Sequence, residues 1–179
     1  MTKQIVKPHE IVKRNHPVLR KQADEVPVDE IKSKKIQQHI ADMKVALAEQ
    51  EDGAALAAPQ IGISLRIFVI AERLFGDHPE SEYRSKDPHF VFINPILTKL
   101  SKRKTLMDEG CLSVRGEYGT VPRHSHATVK AYDEHGKLFT RGASGLLAQV
   151  FQHETDHLDG VLFIDKAKEL WKASDEKKK

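Results

Sequence analysis

Two histidines one helical turn apart, with a glutamate directly after the first, stand in the stretch Phe151-Gln152-His153-Glu154-Thr155-Asp156-His157-Leu158-Asp159-Gly160. On a helix of about 3.6 residues per turn, His153 and His157 lie about 40° apart around the axis, with Glu154 about 60° further round. Two imidazoles and a carboxylate therefore share one face. That arrangement suits a divalent metal held by the two histidines, with the glutamate close enough to take a proton from water bound there. The plain alternative is a surface helix that carries two histidines and several acids. Against it, Leu146, Leu147, Val150 and Phe151 precede the motif at helical spacing and give the segment an apolar face to bury. Ser144 can cap its start and Gly160 can end its last turn.

A metal site of this kind needs a third protein ligand, and spacing alone leaves the choice open. Where one protease pattern places its third histidine this chain has Phe163, although the glycine of that pattern is present as Gly160. Another pattern draws a glutamate from a later helix, and the candidates beyond the motif are Glu169 and Glu176, both near the chain end. The remaining soft ligand is Cys111, the single cysteine of 179 residues.

The elements that must position these residues form an alternation of one long helix, several short strands and the motif helix. Asp29 can cap a helix running to about Gln50, because Ile36, Ile40, Met43 and Leu47 recur at helical spacing. Gly53-Ala54-Ala55-Leu56-Ala57-Ala58-Pro59-Gln60 follows, a run of small residues that lets another backbone approach and ends in one amide side chain. Leu65 to Ile70 and Phe90 to Asn94 read as strands. The polar run from Glu72 to His89 between them reads as a long surface loop or a short excursion on the sheet, and its His78 and His89 lack metal spacing. Ala127 to Tyr132 and Leu138 to Arg141 flank Asp133-Glu134-His135-Gly136-Lys137 as a hairpin. A short basic helix is expected around Ala167 to Trp171. The fold class is α+β, with mainly antiparallel strands packed around the central HExxH helix.

Composition narrows the class further. A hydrophobic content of 39% with 31% charged residues is that of an ordinary globule, and the length predicts one domain over 1–179. No apolar run reaches the length of a membrane span and the N-terminus has no signal-peptide core, so the expected location is cytoplasmic and no membrane partner is expected. A lone cysteine cannot form an internal disulfide, which agrees with a reducing compartment or a thiolate used as ligand. The net charge of +3 gathers at the C-terminus, where Lys177, Lys178 and Lys179 end a basic tail at about 172–179. Such a tail is ordinarily a solvated end, with contact to nucleic acid as the alternative.

Three ordered motifs make the chain resemble the peptide deformylase family. That family carries a small-residue motif ending in Gln, a Glu-Gly-Cys-Leu-Ser motif and a Gln-His-Glu-x-Asp-His-Leu motif, which stand here as Gly53 to Gln60, Glu109 to Ser113 and Gln152 to Leu158. Pro17-Val18-Leu19-Arg20 and Val121-Pro122-Arg123 extend the likeness over most of the chain. The resemblance implies that Cys111, His153 and His157 bind one divalent metal ion, Fe2+ natively, with Zn2+, Ni2+ or Co2+ able to take the site. It implies hydrolysis of the N-formyl group from the first methionine of nascent formylmethionyl polypeptides, giving formate. Glu154 would take a proton from the attacking water and pass it to the leaving nitrogen, while the Gln60 amide and the Leu112 backbone N–H stabilise the formyl oxygen. The peptide would add to a strand edge near Ala55, with Ala54, Leu112 and Val150 walling a pocket for the methionine side chain. Glu109 and Arg123 would form a supporting ion pair. Ala55 departs from the family pattern, which has a second glycine there. The competing readings are another HExxH metallohydrolase of peptidase type and a deformylase-like relative with an altered substrate.

Overall fold

The computed structural model describes residues 10–75 and 90–174. Its long helix, α1 (Lys34–Ala48), buries Ile36, Ile40, Met43 and Leu47, the residues whose spacing predicts it. The start differs from expectation. Val28–Glu30, with Asp29 inside it, forms a separate 3-10 turn, and Ser33 caps α1 by accepting the Ile36 N–H at 3.3 Å. Both residues are good N-caps, and burial of Ile31 between them sets the break.

Five strands, β1 (Ala55–Ala57), β2 (Ile67–Ile70), β3 (Val91–Leu100), β6 (His126–Tyr132) and β7 (Leu138–Ser144), form an antiparallel sheet in the order β1-β2-β3-β6-β7. In β2 alternate residues enter different cores. Ile67 and Val69 join α1, while Phe68 and Ile70 join α2 (Gly145–Leu158), so the sheet is sandwiched between the two helices. Each such side chain, fully buried, contributes about 1.5–3 kcal/mol. Strand β3 runs past Asn94, the end of the strand expected at Phe90 to Asn94. Asn94 instead adopts φ 50° inside the strand, its side chain accepting the Val26 N–H at 2.9 Å and donating to the Val26 carbonyl at 2.7 Å.

A second antiparallel sheet packs beside the first, with β4 (Lys104–Gly110), β5 (Glu117–His124) and β8 (Glu169–Lys172) in the order β4-β5-β8. The basic helix expected at Ala167 to Trp171 is therefore a strand. Pairing with β5 overrides the local pattern: Leu170 lies across from Gly119, where an added Cβ would stand 2.8 Å from Leu170, and Trp171 stacks on Tyr118 at 6.4 Å. Val12, Leu19, Val114, Val121, Leu162 and Phe163 form the core under this sheet. Helix α2 starts after Ser144 as expected, although Ser144 makes no capping bond, and ends near Gly160 at φ 75°. Any side chain at that glycine would also meet the Arg20 and Lys21 backbone within about 3 Å. Of the loop expected at 72–89, Glu72–Phe75 is a 3-10 turn, while His78 and His89 lie outside the described residues, as do residues 175–179 of the tail. Among the described residues no helix is long and apolar enough to cross a membrane.

Candidate metal centre

The centre sits where α2 crosses the end of β4. Helical spacing brings the His153 and His157 rings to 4.9 Å between centroids. The turn after β4 delivers Cys111, whose Sγ lies 3.3 Å from His157 Nε2. Ligand atoms of Cys111, His153 and His157 all lie within 4.8 Å of one another, and among the described residues no other group of His, Cys, Asp and Glu side chains converges in this way. Glu169 is on β8 and takes no part in the cluster. A thiolate and two imidazoles form a donor set for a first-row divalent ion.

The surroundings fix how these groups point. Glu109 accepts from His153 Nδ1 at 2.9 Å, which leaves Nε2 to face the cluster. Arg123 grips the same carboxylate twice, Nε at 2.6 Å and Nη2 at 2.9 Å, and its Nη1 reaches Asp156 on α2 at 2.6 Å. Asp156 in turn accepts from Lys166 at 2.6 Å. Gln149 donates to Glu109 at 3.3 Å and to the Asp108 carbonyl at 2.9 Å. The expected Glu109–Arg123 pair is thus part of a longer network tying β4 and β5 to α2. Gln149, Gln152, Asp156 and Lys166 are supporting residues that the sequence reading left out. Gln149, Gln152 and Asp156 share α2 with His153, which is a readable signal, but their strand partners sit on β4 and β5, and Lys166 follows the helix with no such spacing.

Charge follows from this packing. Burial pushes the Glu109 carboxyl up, but the hydrogen bonds from Arg123 and His153 outweigh it and bring its pKa down to about 2. The same burial lowers Arg123, and its two carboxylate partners more than restore it. Burial lowers His153 too, yet its contacts with Cys111 and Glu109 leave its pKa well above the usual value. His157 is lowered well below, by burial and then by His153. Glu154 is raised to about 7, chiefly by burial and against the pull of His153. Its Oε2 and His157 Nδ1 are buried and have no partner among the described residues. Buried unpaired polar atoms are costly, and the Glu154 oxygen beside the Cys-His-His cluster fits a site that holds water next to an ion, whereas His157 Nδ1 lies on the side of its ring opposite Nε2, which faces Cys111.

A cleft of about 370 Å³ opens onto these groups, lined by Ala54, Ala55, Gln60, Leu112, Val150 and Glu154 among others. Gln60, in the 3-10 turn Ala58–Ile61, is 2% exposed. Its Oε1 accepts the Ala57 N–H at 2.8 Å, which turns its amide N–H2 toward Cys111 Sγ at 3.5 Å and Ser113 Oγ at 3.4 Å. Among the described residues no hydrogen bond uses the Leu112 N–H. Strand β1 is an edge of its sheet. The Ala71 N–H donates to the Ala54 carbonyl at 2.9 Å, so in the alternating antiparallel pattern the Ala55 N–H and C=O point to the open side. Ala55 is extended with negative φ, and its methyl packs in the core under α2.

The fold and this centre define a class: an α+β protein with a Cys-His-His cluster suited to one divalent ion, and a buried glutamate at the floor of a peptide-sized cleft. The sequence model of the polypeptide deformylase family matches residues 8–173. The chain is 39% identical over 166 residues to a peptide deformylase of Desulforudis audaxviator, covering 91% of this chain and 96% of that one. It is 40% identical over 163 residues to the chloroplastic peptide deformylase 1A of Solanum lycopersicum, covering 88% of this chain but 58% of that relative's length. A peptide deformylase of Synechococcus elongatus, solved in complex with actinonin, superposes with a TM-score of 0.76 at 35% identity over 93% of this chain and 84% of that one. The chain belongs to the polypeptide deformylase family.

Proposed function

We propose that this chain is a metal-dependent amide hydrolase that removes the N-formyl group from the initial methionine of newly synthesised polypeptides and releases formate. The observation that carries the reading is the convergence of Cys111, His153 and His157 beside a buried, partnerless Glu154 oxygen, at the floor of a cleft flanked by the open β1 edge. Cys111, His153 and His157 would hold one divalent ion, Fe2+ by family, with Zn2+, Ni2+ or Co2+ as substitutes. When bound, the ion supplies Lewis acidity, which makes water a nucleophile at neutral pH and polarises a carbonyl oxygen.

The chain's own groups do the rest. The peptide pairs with the Ala55 N–H and C=O, while the methionine side chain enters between Ala54, Leu112 and Val150. Glu154 takes a proton from the attacking water as the new C–O bond forms at the formyl carbon. The Gln60 amide, held by its bond to Ala57, and the free Leu112 N–H donate to the developing oxyanion. Glu154 then gives the proton to the departing nitrogen as the C–N bond breaks. Glu109 orients His153 and Arg123 orients Glu109.

One catalytic domain over 1–179, a cytoplasmic setting and weak ribosome contact through the basic tail at about 172–179 complete the reading. Protein purified without oxygen should contain one metal per chain and release formate from a formyl-methionyl peptide. Metal bound without formate release would overturn it in favour of another metallohydrolase.

A further inference from the structure

Far from the cleft, two turns lie side by side at the other end of the β4–β5 hairpin. Residues 99–104 read Lys-Leu-Ser-Lys-Arg-Lys and residues 123–126 read Arg-His-Ser-His. Lys99, Lys102, Arg103, Lys104 and His126 are exposed. The backbone beneath them is fastened: the Ser101 N–H donates to the His126 carbonyl at 3.1 Å and the Ser125 N–H to the Arg103 carbonyl at 3.0 Å. The Ser101 hydroxyl adds a bond to the Arg103 carbonyl at 2.8 Å and accepts the His126 N–H at 3.2 Å. From α2, Gln152 accepts the His124 N–H and donates to the His124 carbonyl, both at 2.9 Å. The cations therefore stand on backbone already ordered before any partner arrives, which reduces the entropy lost on binding.

Among the described residues their charge has no ion-pair partner. No Asp or Glu occurs in residues 95–107 or 118–132. Among the described residues no ion pair uses Lys99, Lys102, Arg103 or Lys104, whereas Arg14, Arg20, Lys44, Arg66, Arg123 and Lys166 are all paired. In a chain of net charge +3, four cations on one rim with no acid in either segment make a local positive field.

We propose that this rim is a docking surface for the phosphate backbone of helical RNA. Lysine, arginine, hydroxyl and main-chain groups are those that contact phosphates without reading sequence. Residues 95–117 and 119–131 contain no Phe, Tyr or Trp, so apart from the single exposed His126 ring the rim has no extended aromatic platform for unstacked bases. The choice of RNA among polyanions rests on the proposed substrate, a chain still close to its site of synthesis. Strand β4 has seven residues, so the rim and Cys111 lie about 20 Å apart and docking leaves the cleft open.

The test is anisotropy of a labelled RNA hairpin titrated with the full chain. The affinity should fall with salt, with a log–log slope of about −3 to −4 for four phosphate contacts. The triple variant K102E/R103E/K104E should bind at least about tenfold more weakly at about 50 mM salt, and the neutral pair K102Q/K104Q should roughly halve the slope. Both should release formate from a formyl-methionyl peptide as the natural chain does, which also reports that they fold. Deleting residues 175–179 should leave RNA binding in place. Unchanged binding by the variants, loss of binding on deleting 175–179, or equal affinity for polyglutamate or phosphatidylserine vesicles would each overturn the proposal. Failure of formate release in the natural chain would instead count against the proposed activity and leave the RNA measurement standing.

Discussion

Glu154 carries the most exposed assignment at the scale of single residues, because its role requires it to be neither ligand nor structural. Its buried oxygen has no partner among the described residues and stands free to meet a water beside the cluster. Glu154→Ala should keep one metal per chain and lose turnover by roughly two to four orders of magnitude; loss of metal with the side chain would make it a ligand. Its pKa supplies a second test. Burial pushes it to about 7, and a divalent cation within reach favours the carboxylate and moves it back down. The base form is lost as pH falls through that pKa. The acid limb of kcat/KM in the metal-loaded enzyme should therefore lie below 7, and a limb above 7 would separate Glu154 from the ion. Cys111 is the residue at risk in air, since thiolate oxidation leaves two ligands. Activity of the iron form should decay on exposure and last longer with nickel; equal lifetimes would point to damage elsewhere.

The elements explain why much of the centre could be read from sequence and its supports could not. Helix α2 has an apolar face, a breaker at Gly160 and its reactive residues one turn apart, so the chain order contains its geometry. Strands β4 and β8 carry no such signal. In β4 the buried residue is Glu109, while Leu106 is 62% exposed, which inverts the usual alternation. In β8 no residue is fully buried, and its conformation comes from pairing with β5. The network that these strands bring to α2 has its own pH signature. Glu109 falls from an ordinary 4.5 to about 2 on folding, so its contribution is fully present above about pH 4.5 and disappears as pH falls toward 2. The metal-free protein should lose Tm across that window, and Glu109→Gln should flatten the loss. Arg123→Met should cost about 3–5 kcal/mol by stranding a buried carboxylate; a cost under about 1 kcal/mol would mean that Asp156 and Glu109 do not depend on it.

For the molecule as a whole, the decisive feature is that the three candidate ligands come from both halves of the architecture. His153 and His157 belong to the helix packed on the five-stranded sheet, and Cys111 follows a strand of the three-stranded sheet. An ion held by all three would cross-link the two layers and bind only the folded chain, so its binding free energy becomes folding free energy. At about a thousand times its dissociation constant, such an ion adds about 4 kcal/mol. For a chain of this size each kcal/mol moves Tm by about 2–4 °C, so removing the metal with a chelator should lower Tm by roughly 10 °C. Cys111→Ala should abolish most of that difference while changing the metal-free Tm little, because its half-buried sulfur carries little of the core. The same loading experiment separates bridging from local binding. If metal raises Tm as much in Cys111→Ala as in the natural chain, the ion is held by α2 alone and the cysteine does not join the layers.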